Sequence, residues 1–305
     1  MGDAIIKPNQ VLQASDIAVF LGTTLHGTAE LIETVVPFDA MVDAALSFSK
    51  AKPSGDILKG VRGACIITSA LPDSIESNAF IIVDNPRLAF AKVLAEFFVE
   101  RKKPGIGQHT VIDPTAKIGK DVVIGNNCTL GRNVEVGDYT EIHNNVILAD
   151  GVQIGKYCRI KSNTVIGEKG FGFPFAEDGT PVELPHLASV RLADYVEIGA
   201  LNTVVGGALS DTIIHSHVKT DDHVHIAHNC EIGARTVITA CSEISGSVKI
   251  GERCWLSPNC SIMNKINIGD DCFIGLGAVV LKDVPSGAVM VGNPAKILRI
   301  APVEL

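Results

Sequence analysis

From residue 112 an aliphatic side chain returns at every sixth position: Ile112, Ile118, Ile124, Leu130, Val136, Ile142, Leu148, Ile154, Ile160 and Ile166. A second unbroken series runs Ile226, Ile232, Ile238, Ile244, Ile250, Leu256, Ile262, Ile268, Ile274 and Val280. An amphipathic helix repeats every ~3.6 residues and a half-buried strand every ~2, so neither produces this pattern. A period of six fits a parallel β-helix in which each hexad supplies one short strand and one corner. Three hexads then close a triangular coil of about 18 residues. The aliphatic side chain points inward, and a small residue after it, often Gly, permits a tight corner.

Two stretches interrupt the count. Residues 167–191, "GEKGFGFPFAEDGTPVELPHLASVR", place prolines and Phe-Gly steps where a strand should be, so they read as an extruded loop. In "VVGGALSDTII" four extra residues separate Val204 from the register resumed at Ile214. Insertions in a solenoid usually emerge on the face that binds something. Before residue 105 the hexads are missing. There "LIETVVPFDA", "GACIITSA" and "AFIIVDN" read as short strands, and "PRLAFAKVLAEFFVERKK" as an amphipathic helix started by Asn85-Pro86. The expected architecture is mainly β: a small α/β domain over 1–104, then a β-helix over 105–305 with an inserted loop at 167–191.

Composition narrows the partners. Of 305 residues 46% are apolar and 20% charged, ample for a folded core. The net charge of -8, with no Lys-Arg cluster, argues against nucleic acid. No apolar run reaches the ~18 residues of a membrane span, and "MGDAIIKPNQ" has neither a basic leader nor an apolar core, so a cytoplasmic protein is expected. Met1-Gly2 without Ser or Thr at the sixth position does not support myristoylation. Eight cysteines, seven of them between Cys128 and Cys272, read as small buriable core fillers and not as disulfides.

The stretch "HVKTDDHVHIAHNCEIG", residues 217–233, holds four of the nine histidines. A zinc site needs three or four ligands converging on one point, and here His, Asp and Cys fall at different corners of the triangle. No metal is expected. His215, His217, His223 and His225 fit polar decoration of a subunit interface. His228 differs, because it follows the inward Ile226 by two residues and points away from the core. Residues 18 apart stack, so His228 lies over Gly246, and Gly246 over Asn264. Histidine titrates near neutral pH, where a general base works best. A bare glycine beneath it offers a backbone N–H to an oxyanion, so base and donor together suit acyl transfer.

The hexads and the closing "GAVVLKDVPSGAVMVGNPAK" resemble the hexapeptide-repeat acyltransferases, a family of left-handed β-helices that pack as trimers. More closely, the chain resembles the UDP-3-O-acylglucosamine N-acyltransferases of lipid A synthesis. "GEKGFGF", "DYVEIGA", "GALSDTII" with "HVKTDDHVHIAHNCEIG", and "ALSFSKAK" with "VDNPRLAFAKVLAEF" carry that likeness. The resemblance implies a left-handed helix, a uridine-binding N-terminal domain and three catalytic assignments. His228 takes the place of the general base, Gly246 that of the oxyanion donor, and Asp221 that of the acid polarising the base. Phe48 takes the place of the aromatic that stacks on uracil. His186, in the inserted loop, is the remaining substrate-binding candidate.

The departures lie on the substrate side. Val204-Val205-Gly206-Gly207 stands where the family has an Ile-Asp-Arg-Gly run, Lys265 where it has a second active-site histidine, and Ser54 where it has a tyrosine. The chain ends "AKILRIAPVEL" without the family's helical tail, which leans the donor toward acyl-CoA over acyl carrier protein. The leading expectation is therefore a homotrimeric N-acyltransferase with no bound cofactor. It would move an acyl group from a thioester to the amine of a nucleotide-linked amino sugar. The alternative is the lipid A enzyme itself, and a non-catalytic or zinc-dependent β-helix is a third reading.

Overall fold

A computed structural model describes residues 6–28, 31–75 and 77–300. Met1–Ile5 and Ala301–Leu305, which carry part of the leader and tail readings, lie outside the described residues. The chain divides into two compact units, Met1–Arg101 and Lys102–Leu305.

The first unit is built on five strands, β1 (Leu25–Gly27), β2 (Thr34–Val35), β3 (Ala45–Ser49), β4 (Cys65–Thr68) and β5 (Ala79–Ile82). They lie in the order β1-β5-β4-β3-β2, parallel except for β1 against β5. Alternation along the strands sends Leu46, Cys65, Ile67 and Ile81 to one face and Ile66 and Phe80 to the other. The first face packs on α1 (Ala14–Leu21) and α2 (Pro86–Phe97). The second helix starts where Asn85-Pro86 predicts: the Asn85 side chain accepts from the Leu88 N–H at 3.0 Å, and Pro86 holds the first turn, where no N–H is needed.

The second unit is a left-handed parallel β-helix with three faces. The first face runs from Val111–Ile112 to Val279–Val280, the second from Lys117–Ile118 to Asn267–Ile268, and the third from Gly105–Ile106 to Lys296–Ile300. Most strands are two residues long, an outward residue followed by an inward aliphatic one, as in Glu141–Ile142. Leu130 pairs with Leu148, and Leu148 with Ile166, so the periodic aliphatics stack into one continuous buried row per face. Burying each such side chain contributes roughly 1.5–3 kcal/mol, which is what holds two-residue strands in place.

Corner residues adopt the left-handed region, among them Asn127, Asn133, Asn145 and Asn163. Asn tolerates this conformation best among residues with a side chain. Many corners are further closed by a carboxylate or amide of the next coil. Asn144 Oδ1 accepts the Asn126 N–H at 2.8 Å, Asp150 Oδ1 the Arg132 N–H at 2.7 Å, and Asp270 Oδ1 the Glu252 N–H at 2.8 Å.

Both insertions leave the same corner. The first follows the strand Val165–Lys169 and the second the strand Thr203–Gly206, neighbours on the first face. Pairing resumes across them, with Arg191 beside Gln153 and Ile213 beside Arg191, so the core row continues while the extra chain is extruded. Among the described residues one position of the aliphatic rows is polar: Thr220 Oγ1 donates to buried Asn202 Oδ1 at 3.0 Å, and Asn202 Nδ2 donates to Asp221 O at 2.9 Å.

All eight cysteines are free, and only Cys241 is exposed. Desolvation pushes the Cys65 thiol up to about 12 and the Cys158 and Cys230 thiols to about 11.

Candidate active site

His228 follows the first-face strand His225–Ile226, directly beneath the two insertions. Its imidazole lies across Gly246 of the next coil: a methyl group added to Gly246 would fall 2.5 Å from Nε2 and 2.6 Å from Cε1. The backbone of Gly246 is not left-handed, so the ring and not the chain conformation demands glycine there. Gly233 makes a contrast, because a methyl on it would strike the backbone of Gly251. Among the described residues the Gly246 N–H has no acceptor, unlike the corner N–H groups that Asn144, Asp150 and Asp270 close.

The inserted loop folds back onto the same ring. His186 is 7% exposed and meets His228 edge to face, with centroids 5.2 Å apart and planes at 73°. Its Nδ1 lies 2.9 Å from Leu184 O, an acceptor, so Nδ1 carries the proton. Its Nε2 is then a buried acceptor, and it has no hydrogen-bond partner among the described residues. Gly170 makes this approach possible, since a methyl there would lie 2.6 Å from His186 Nε2 and 2.9 Å from His228 Cβ. The insertions also carry exposed apolar side chains, Phe171 at 84% and Leu209 at 86%, with Phe171 edge-on to Phe173.

On its far side His228 Nδ1 lies 3.0 Å from Asn229 Oδ1. Asn229 is in turn fixed by the second insertion, donating to Ser210 O at 2.8 Å and Ser210 Oγ at 2.9 Å and accepting from the Ala208 N–H at 3.2 Å. In the sequence Asn229 is marked only by its adjacency to His228.

The other expected residues fall elsewhere. Asp221 follows the third-face strand Lys219–Thr220, so Asp221 and His228 occupy the two corners at opposite ends of one first-face strand. Asp221 is exposed, and among the described residues it makes no hydrogen bond to the ring. His217 stacks on Tyr195 at 4.8 Å, His225 Nδ1 meets Thr203 Oγ1, and His215 Nε2 meets Glu231 Oε1 at 3.1 Å. No three His, Cys, Asp or Glu among the described residues are grouped to hold a metal ion. In the first unit Phe48 is half-buried with its ring tilted against Phe90, centroids 4.8 Å apart. A cavity of about 590 Å³ is lined by Lys52, Ser54, Lys59, Asp73, Ser74 and Asn78 among others. No helix of the described residues is long and apolar enough to cross a membrane.

The family described as bacterial transferase hexapeptide (six repeats) matches residues 211–246 and 247–282, and that described as the GMPPB C-terminal domain matches 106–170. Among solved structures, LpxA from Acinetobacter baumannii superposes with a TM-score of 0.59 at 26% identity, covering 64% of this chain and 74% of that one. UDP-N-acetylglucosamine acyltransferase from Francisella novicida gives 0.59 at 27%, covering 64% and 70%. Fold and repeats thus define an acyltransferase of the hexapeptide-repeat class.

UDP-3-O-acylglucosamine N-acyltransferase of Neisseria meningitidis serogroup B is 41% identical over 254 residues, covering 77% of this chain and 73% of that protein. Its namesake from Coxiella burnetii is 35% identical, covering 76% and 74%. The chain belongs to the UDP-3-O-acylglucosamine N-acyltransferase family and is an acyltransferase.

Proposed function

We propose that the protein transfers an acyl group from a thioester to the amine of a UDP-linked 3-O-acylglucosamine, a step of lipid A synthesis. This favours the second sequence reading over a shift to other substrates. Its support is relatives of that name matched over about three quarters of both chains. The observation that carries the chemistry is the His228 imidazole lying across Gly246, whose N–H has no acceptor among the described residues.

In this mechanism the substrate amine attacks the thioester carbonyl, and His228 Nε2 takes the proton that the nitrogen sheds. Negative charge on the carbonyl oxygen falls to the Gly246 N–H, a preorganised donor that needs no desolvation at the moment of reaction. As the tetrahedral intermediate collapses, the C–S bond breaks and the proton passes from the imidazolium to the thiolate. Asp221 acts on the imidazolium as a negative charge at a distance and not as a hydrogen-bond partner. The buried Nε2 of His186 accepts a hydrogen bond from a hydroxyl or amide of the acceptor. Phe171, Phe173 and Leu209 supply apolar surface for an acyl chain.

Phe48, in the first unit, takes the nucleotide base by stacking on its flat ring. The donor is acyl carrier protein or coenzyme A. The subunits assemble as a cytoplasmic trimer with sites in the clefts between them.

The test is turnover. Incubation with UDP-3-O-(3-hydroxyacyl)glucosamine and either hydroxyacyl carrier protein or hydroxyacyl-CoA should give the N-acylated product with one donor. Turnover only with other nucleotide-linked amino sugars would return the reading to shifted substrates.

A further inference from the structure

We propose that Asn229 is a positioning residue of this reaction, holding His228 in the tautomer whose Nε2 carries the free lone pair. The inference rests on His228 acting as the base. The contacts of the Asn229 amide fix which of its ends is nitrogen and which is oxygen. The atom 2.8 Å from Ser210 O faces a carbonyl, which only accepts, so that atom is the NH₂. The other end is then the oxygen, and it receives the Ala208 N–H at 3.2 Å. An amide oxygen only accepts. The 3.0 Å contact from His228 Nδ1 to Asn229 Oδ1 is therefore a hydrogen bond only if Nδ1 carries the proton. In the neutral ring Nε2 is then bare, and Nε2 is the nitrogen beside Gly246.

The chain of contacts runs from Ala208 and Ser210 through Asn229 to His228, so the second insertion sets the protonation of the base. A base whose proton sits on the reacting nitrogen cannot accept another there, and the wrong tautomer is catalytically costly. The ordinary reading of Asn229 is conformational: its φ of 60° lies in the left-handed region, where Asn is common. That reading explains the residue type but not the two insertion contacts that orient the amide.

Gly and Asp separate the two accounts in the full-length enzyme. Asn229→Gly keeps the left-handed backbone and deletes the side chain. Asn229→Asp keeps an acceptor for Nδ1–H and for Ala208 but loses the donor to Ser210. For Asn229→Gly we expect kcat to fall on the order of 10–10²-fold, part of the range a general base contributes, with both KM values little changed. Asn229→Asp should recover most of that loss. Its carboxylate favours the imidazolium, so the acidic limb of kcat/KM should move to higher pH by about one unit. His186 is the other titratable ring packed on His228, so the limb is assigned by its loss in His228→Ala.

Asn229→Gly with wild-type kcat would overturn the proposal. So would Asn229→Asp no better than Asn229→Gly with an unmoved limb, the outcome of loop anchoring alone. An active His228→Ala control would instead remove the underlying base, a separate failure.

Discussion

His228 occupies the space that a side chain on Gly246 would need. The nearest atoms to a methyl placed there are Nε2, Cε1 and Cδ2 of the imidazole, at 2.5, 2.6 and 3.2 Å. Elsewhere in the solenoid a corner glycine is demanded by the backbone of the next coil, as at Gly233. At Gly246 the coil would accept a methyl and the ring would not. Gly246→Ala should therefore displace the imidazole and crowd the N–H while leaving the aliphatic rows intact. We expect kcat to fall about 10²-fold, the scale of losing an oxyanion donor, with the melting temperature close to wild type. Parallel measurement of kcat and thermal unfolding checks this; a large loss of stability would mean that Gly246 serves the coil.

Much of this was legible because the solenoid is periodic. A hexad fixes which residues face inward, and a coil of three hexads fixes which residues stack, so Ile112 to Ile166 and the His228–Gly246 column follow from counting. What could not be counted was the extruded chain. Nothing in "PVELPHLASV" says that His186 returns to lie against His228, because the loop has no period to project. Asn229 was hidden differently: it resembles Asn127, Asn145 and Asn163, which are Asn for their left-handed backbone. Only its contacts to Ala208 and Ser210 set it apart. The Asp221 assignment came from resemblance, and within one chain the two corners are a strand apart.

The cysteines give a test of the core. Seven are buried, and burial raises the Cys65, Cys158 and Cys230 thiols to about 12, 11 and 11, away from the reactive thiolate. A thiol-disulfide reagent at neutral pH should label Cys241 promptly and the remaining thiols only on denaturation. Cys241→Ser should abolish the fast phase. Rapid labelling of several thiols in the native protein would contradict the packing.

His143 links stability to pH. Desolvation is the main cause that holds it below the ordinary histidine range, with the Lys102 ammonium adding to it and Glu141 opposing. Lys102 Nζ lies 3.2 Å from His143 Nε2, a contact that requires a neutral ring nitrogen as acceptor. The folded state therefore binds this proton less readily than the unfolded chain. The contribution is fully present above about pH 6.5, the unfolded value, and is lost as pH falls toward the folded one. His143→Gln should make the fall in melting temperature between neutral and mildly acidic pH shallower than in wild type. Parallel curves would show that the ring is not neutral in the fold.

The last test separates the four histidines of residues 217–233. His228 should be the base, and His217, His223 and His225 should be dispensable for chemistry. His217 is engaged in stacking on Tyr195 and His225 in a contact to Thr203, while His223 sits at a left-handed corner. A general base typically contributes about 10²–10⁴-fold, so His228→Ala should lower kcat by that order. His228 lies outside the aliphatic rows, so the oligomer and the melting temperature should survive the change. His223→Ala and His225→Ala should each cost far less. Losses equal to that of His228→Ala, together with about one zinc per subunit by metal analysis, would instead point to a metal shared between subunits. Retention of more than about a tenth of wild-type kcat in His228→Ala falls below what a base supplies. The reaction would then proceed by an amine already deprotonated, held in place against the Gly246 N–H.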